Sequence, residues 1–315
     1  MTHVVVAEVT RNGLVESLHY GSGVVLSPGG DVVVAVGDVD VPVFGRSSNK
    51  PMQGTAMVGL GLDLPPALLA LAVASHSGEE MHLQGVRSIL GGADLDEHAL
   101  RCVVAPPLGP AAARAMWRSG GRASRLTMNC SGKHAAMLAT CVRNGWDCDG
   151  YLSHEHPLQV RITEVISALT HESPALIGVD GCGAPAHALS LCGLARAFSF
   201  IARADSTRAE HRVASAMRAH PEMVGGTGRE VTEVMQRVPG LLAKDGAEGL
   251  YAAALPDGRA VALKIADGSD RARVPVLARL LEMAGVDVSA LADLRLPATF
   301  GGGQPVGEIR STLTA

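Results

Sequence analysis

The alternation of apolar and polar positions divides the chain into three stretches. Val4–Val9 and Asp31–Gly37 are short β-rich runs on either side of a Ser-Pro-Gly-Gly turn at Ser27–Gly30, and they read as antiparallel strands. From about residue 52 the pattern becomes helical. Met52–Leu62 is apolar and interrupted by glycine, and Pro65–Ala74 is a dense Leu/Ala run that predicts a buried helix. Glu79–Leu90 is amphipathic and closes on Gly91-Gly92. After a Pro-rich loop at Arg101–Pro110, helical patterns recur at Lys133–Asn144, His156–Thr170, Ala186–Ala204 and Thr207–Ala219, with a short apolar run at Leu176–Asp180 between them. Beyond Arg229–Val238 the strand pattern returns. Gly240–Lys244, Gly249–Leu255 and Arg259–Ala266 are punctuated by the turns Pro256-Asp257-Gly258 and Ala266-Asp267-Gly268. A last helix is expected over Ala272–Ala284, and no element is assigned past about Ala290.

Strands from both ends of the chain with helices between them predict a mixed α/β (α+β) fold. One antiparallel sheet would form from the N- and C-terminal segments, with a helical layer supplied by roughly residues 52–238, all in a single domain. Strands and helices do not alternate, which disfavours a TIM barrel.

Composition narrows the class. With 47% hydrophobic residues and a formal charge of −4, the chain is globular and offers no electrostatic footprint for nucleic acid or an anionic membrane. Aromatic residues, at 3%, are too few for base-stacking platforms. The opening MTHVVVAEVTRNG lacks the features of a signal peptide, and no stretch has the length and apolarity of a membrane span, so a cytoplasmic protein is expected. In that setting the six cysteines are free thiols, core residues or metal ligands. Of the 27 basic residues only four are lysines: Lys50, Lys133, Lys244 and Lys264. A coding bias towards arginine accounts for most of this scarcity. A lysine retained under it nonetheless draws attention, because lysine can lose its proton when desolvated and arginine cannot.

Three short motifs carry candidate chemistry. Ser47-x-x-Lys50 would bring a hydroxyl and an amine to one face of a helical turn, where a neutral amine can activate a serine; either Ser47 or Ser48 can equally serve as a helix cap before Pro51. Ser75-His76-Ser77-Gly78 is a polar cluster directly after a buried helix. Lys244-Asp245-Gly246 ends a strand-like run, where it also fits a plain turn. Their order, S-x-x-K, then a serine cluster, then K-x-G, matches the arrangement in serine β-lactamases and penicillin-binding proteins, although each element departs from its template. Two cysteine loops, Asn129-Cys130-Ser131-Gly132-Lys133-His134 and Asp180-Gly181-Cys182-Gly183, are either buried small residues or part of a metal site.

Taken together, Arg46-Ser47-x-x-Lys50-Pro51, Ser75-His76-Ser77-Gly78-Glu79, the two cysteine loops, His220-Pro221-Glu222-Met223-Val224 with Gly228-Arg229, and Leu242-Ala243-Lys244-Asp245-Gly246-Ala247 resemble the motif set of the asparaginase II family, the rhizobial or thermolabile type of L-asparaginase. The resemblance covers about residues 8–285. It implies a serine-β-lactamase-like fold, a homodimer, and hydrolysis of L-asparagine to L-aspartate and ammonia. It implies two serine–lysine pairs, Ser47 with Lys50 and Ser75 with Lys244, as the catalytic residues. It implies zinc held by Cys130, Lys133 and Cys182, and substrate contacts from Arg46, His76 and Asp180. Ser47 is expected to be the nucleophile and Lys50 its base. A glutaminase, a penicillin-binding-type peptidase and a non-catalytic protein that binds asparagine or zinc are the alternatives.

Overall fold

The structure is a computed structural model that describes residues 2–314. Among the described residues eleven strands form two antiparallel sheets: β1 (Val4–Arg11), β2 (Leu14–Leu26), β3 (Val32–Val36), β4 (Val43–Phe44), β5 (Leu176–Val179), β6 (Pro185–Leu189), β7 (Leu242–Gly246), β8 (Leu250–Ala254), β9 (Ala260–Ile265), β10 (Ala298–Gly301) and β11 (Gln304–Ser311). The large sheet runs β10-β11-β1-β2-β9-β8-β7, with β3 also paired to β2. Its centre joins the two ends of the chain, with Val24 opposite Ala262 and Ala7 opposite Ser311. The expected mixed fold with an antiparallel sheet built from both termini is therefore present.

The sheet forms because β7, β8 and most of β9 are buried, carried by runs of Val, Leu and Ala that suit a strand covered on both faces. The helices Leu191–Arg203 and Arg273–Met283 pack on the sheet. Their fit is close: a Cβ at Gly23 of β2 would stand 2.9 Å from Leu280 Cδ1. Three elements stand where the sequence assigned none, and one expectation is corrected. β2 is one strand of 13 residues. The hairpin β10–β11 turns at Gly302 and Gly303, both with positive φ, beyond the point where the sequence had assigned elements. Pro110–Arg118 is a helix, begun by a proline in its first turn. Finally, Ala186–Ala204 is not helical throughout. Residues 185–189 are a buried strand, and the helix begins only after Ser190, whose Oγ caps it by accepting from the Gly193 N–H at 2.8 Å. That strand pairs with β4 and β5 to make a three-stranded sheet inside the helical region.

The helical layer holds the helices that matter for chemistry. Lys50–Gly59 follows a 3-10 turn at Arg46–Asn49 and carries Pro51 in its first turn. Pro66–Ala72 ends two residues before Ala74, so Val73–Glu79 is irregular. Ser131–Arg143 crosses Pro66–Ala72 closely. A Cβ on Gly132 would lie 2.5 Å from the Leu71 carbonyl oxygen, which only backbone movement could relieve. Among the described residues no helix is long and apolar enough to cross a membrane.

The Gly132 contact generates a first prediction. Gly132→Ala overpacks the crossing that seats Cys130 and Lys133, and it lowers the unfolding free energy by about 1–3 kcal/mol in urea titration. An unchanged midpoint would show that the crossing is slack.

Candidate active site

The serine and lysine side chains are brought together by irregular backbone at the ends of regular elements. Ser47 sits in the 3-10 turn and Lys50 opens the following helix. Just ahead of Ser47, Arg46 holds φ at +47°, a left-handed conformation that non-glycine residues rarely adopt. Ser75, His76 and Ser77 lie on the irregular segment after the buried helix. That segment is laced on both sides, with Ser75 N–H donating to Val224 O at 3.0 Å, His76 N–H to Asn129 O at 3.1 Å and Ser77 N–H to Gly225 O at 2.8 Å. Lys244 and Asp245 lie on β7, which is tied to the 3-10 turn by Ser48 Oγ donating to the Lys244 carbonyl at 3.1 Å.

A cavity of about 550 Å³ opens between these elements, lined among others by Ser47, Ser75, Asn129, Arg229, Glu230 and Asp245. Lys50 and Lys244 lie beneath its walls, 1% and 0% exposed. Lys50 Nζ is 3.0 Å from Ser75 Oγ and 3.1 Å from Cys130 Sγ, and it also bonds the Ala74 carbonyl. The lysine one turn after Ser47 thus touches Ser75, and the hydrogen bonds of both lysines lead elsewhere than the two pairs drawn from the motifs. Lys244 Nζ bonds the Asp245 carboxylate and, at 2.9 Å, the Asp245 carbonyl. Burial lowers the Lys244 amine to about 8; Asp245 opposes that shift, and the neighbouring Lys50 and Arg229 charges reinforce it.

Arg46 and Asp180 pair with each other at 2.9 Å, outside the walls of the main cavity, and the Gly181 N–H also donates to Asp180. His76 is wholly buried and both ring nitrogens are committed: Nδ1 accepts from the Gly78 N–H at 3.1 Å, and Nε2 is 2.9 Å from Ser131 Oγ. Burial and nearby positive charge push its pKa well below the ordinary histidine range, so it is a neutral spacer with no nitrogen left for a ligand.

The two cysteine loops meet behind Lys50. Cys182 stands in the turn between β5 and β6, and Lys133 Nζ lies 3.2 Å from its sulfur. Hydrogen bonding to Cys182 and burial push the Cys130 thiol far up, while the Cys130 hydrogen bond holds Cys182 far down. Burial opposes the Lys133 charge, yet the two sulfurs outweigh it and raise the amine's pKa. Close by, His134 Nδ1 is 2.7 Å from the Tyr151 hydroxyl, and its Nε2 is buried without a hydrogen-bond partner. Among the described residues no three His, Cys, Asp or Glu side chains gather closely enough to hold a metal. A metal here would need the Lys133 amine as a donor beside the two sulfurs. Two soft thiolates and a nitrogen base suit zinc, and the orphaned His134 nitrogen leaves polar capacity beside them, so the residues fit that ion.

Four charged residues of the cavity had no role in the sequence reading. Arg229 and Asp245 lie inside recognisable motifs, and they pair at 3.0 Å. Glu230 and Arg273 are 43 positions apart and meet only through folding, so no local signal marks them. Burial raises Glu230 to about 7, and Arg273 and Arg229 partly offset that, whereas Asp245 is held well below the ordinary carboxylate range because Lys244, Arg229 and Arg273 outweigh its own burial.

The sequence profile of the family described as L-asparaginase II matches residues 7–311. No curated protein matches the chain. Among solved structures it is similar to Mglu in its native form, with 15% identity over 88% of this chain and 68% of that one and a TM-score of 0.47. It is similar to a β-lactamase from Mycobacterium bovis, with 15% identity over 88% and 95% of the two chains and a TM-score of 0.45. It is also similar to EstCE1, a hydrolase with promiscuous acyltransferase activity, at 11% identity over 84% and 93% and a TM-score of 0.46. Likeness at that level bears on neither activity nor substrate.

Glu230 supplies the pH prediction for this site. Its carboxyl keeps its proton in the fold up to about pH 7 but loses it near 4.5 in the unfolded chain, so stability falls as pH rises through that window. Across it the wild type loses on the order of 2–3 kcal/mol relative to Glu230→Gln, read by chemical unfolding at each pH. Parallel pH–stability curves for the two proteins would contradict this.

Proposed function

For a chain that belongs to the L-asparaginase II family, we propose that this amidohydrolase hydrolyses L-asparagine to L-aspartate and ammonia through an acyl-enzyme on Ser47. The observation that carries the reading is the Lys50–Ser75 contact of 3.0 Å beneath a cavity whose wall also presents Ser47. A serine hydroxyl is a weak nucleophile for a carboxamide until a base takes its proton, and a buried amine in its neutral form is such a base. Lys50 accepts the Ser47 proton, and Ser75 passes a proton between Lys50 and the departing ammonia. The Lys244 ammonium offsets negative charge as it develops on the carbonyl oxygen. Water then attacks the ester, with the same groups returning the proton to Ser47.

The Arg46–Asp180 pair matches the two charges of an amino-acid substrate, a guanidinium for the α-carboxylate and a carboxylate for the α-ammonium. His76 fixes the segment that carries Ser75. Cys130, Lys133 and Cys182 would hold zinc, which when bound supplies a fixed positive charge that organises the substrate pocket. All of this resides in a single catalytic domain. A homodimer is supported by the exposed apolar side chains Val15, Leu18 and Tyr20 of β2.

Ammonia release from L-asparagine and from L-glutamine, with and without added zinc, tests the reading. Ammonia from asparagine with little from glutamine is expected, and Ser47→Ala lowers kcat/KM by at least roughly 10³-fold. Ammonia from neither substrate would reject it, and glutamine as the better substrate would reassign it to a glutaminase. In the same preparation Cys182→Ala loses bound zinc by elemental analysis; wild-type protein that never retains zinc would remove the metal from the account.

A further inference from the structure

On β7 neighbouring side chains should point to opposite faces, yet the Lys244 amine curls back onto the carboxylate and carbonyl of the next residue. The other oxygen of that carboxylate, Asp245 Oδ2, accepts from Arg229 Nη2 at 3.0 Å, and Arg229 Nη1 reaches the Ser75 carbonyl at 3.4 Å. A line of charge therefore runs from Lys244 through Asp245 and Arg229 to the backbone of Ser75. Next to it Arg273 Nη1 donates to the Gly246 carbonyl at 2.9 Å and pairs with Glu230 and Asp270. The reaction as described uses the Lys244 amine and gives Asp245 no part.

A buried cation needs a partner, because desolvation is otherwise uncompensated, and here a second lysine and an arginine lie in its field. The carboxylate decides where the amine sits. We propose that Asp245 is a positioning residue for the reaction: clamped by Arg229, it anchors the Lys244 amine under the cavity and holds it apart from Lys50. This rests on the functional reading above, which assigns Lys244 its part.

The groups facing Lys244 are Asp245, Lys50 and Arg229; those facing Asp245 are Lys244, Arg229 and Arg273, with Glu230 beside them. The two partners act on Lys244 with opposite sign. Asp245 raises its proton affinity, whereas Arg229 lowers it and competes for the same carboxylate.

The chain has only four lysines, so side-chain nitrogen NMR of 15N-lysine protein resolves them, and the signal missing from Lys244→Met belongs to Lys244. Asp245→Asn moves the Lys244 titration to lower pH by about one unit or more, a tenfold loss of proton affinity. Arg229→Gln moves it to higher pH, and Arg229→Lys returns it towards the wild type. The matching inflection of kcat/KM for asparagine moves in the same directions. Titrations unmoved in folded Asp245→Asn and Arg229→Gln protein overturn the proposal. Should Asp245→Asn fail to fold, Arg229→Gln decides alone, and an unmoved or lowered titration overturns it. Because the NMR titration needs no turnover, a wild type that releases no ammonia rejects the functional reading and leaves this test standing. Ammonia release with unmoved titrations rejects only the role of Asp245.

Discussion

Three lysine amines are buried in this protein, and the site is organised by the need to partner each of them. Lys50, Lys133 and Lys244 are at most 1% exposed. Removing an ammonium from water costs several kcal/mol after relaxation, and breaking a buried pair typically costs about 3–5 kcal/mol. Each amine accordingly meets its own kind of partner. Lys50 meets a carbonyl, a hydroxyl and a thiol; Lys133 meets a sulfur that burial alone would keep protonated; Lys244 meets a carboxylate. The differing partners separate the properties of chemically identical side chains. Lys244 is pulled down to about 8, whereas Lys133 is held up by the sulfurs.

The fold meets this demand with irregular backbone held by regular elements. The segment that bears Ser75 is neither helix nor strand, but its amides are taken by loops on either side, so the serine is as fixed as if it stood on a strand. Cys182 occupies a tight turn in which Gly183 takes φ +90° and donates to the Asp180 carbonyl at 2.9 Å. The three-stranded sheet inside the helical layer exists in part to present that turn. β7 comes from the far end of the sequence and closes the cavity from the sheet side.

Much of this was legible in the residues. Strand-like runs punctuated by turn residues found β7, β8 and β9 to within a residue or two, and the Leu/Ala run before Ser75 announced a buried helix. The scarcity of lysine singled out four positions, three of which proved buried; Lys264 alone is partly exposed. What remained hidden has physical causes. The alanine-rich run 185–189 satisfies a helical pattern as readily as a strand, and only pairing with β4 and β5 decides between them. β10 and β11 are half exposed and interrupted by glycine and proline, so their apolar signal is weak. The Lys50–Ser75 contact, the Arg229–Asp245 bridge and the Glu230–Arg273 pair join residues 16 to 43 positions apart, and no spacing rule reaches that far.

The central claim is that these buried amines make a serine attack an amide. Quenching the enzyme during turnover of L-asparagine and mapping the trapped species by peptide mass spectrometry tests it most directly. The account predicts an aspartyl ester on Ser47 that is absent from Ser47→Ala. Steady turnover with no acylated serine at any quench time would contradict it, and an ester on Ser75 would exchange the parts of the two serines.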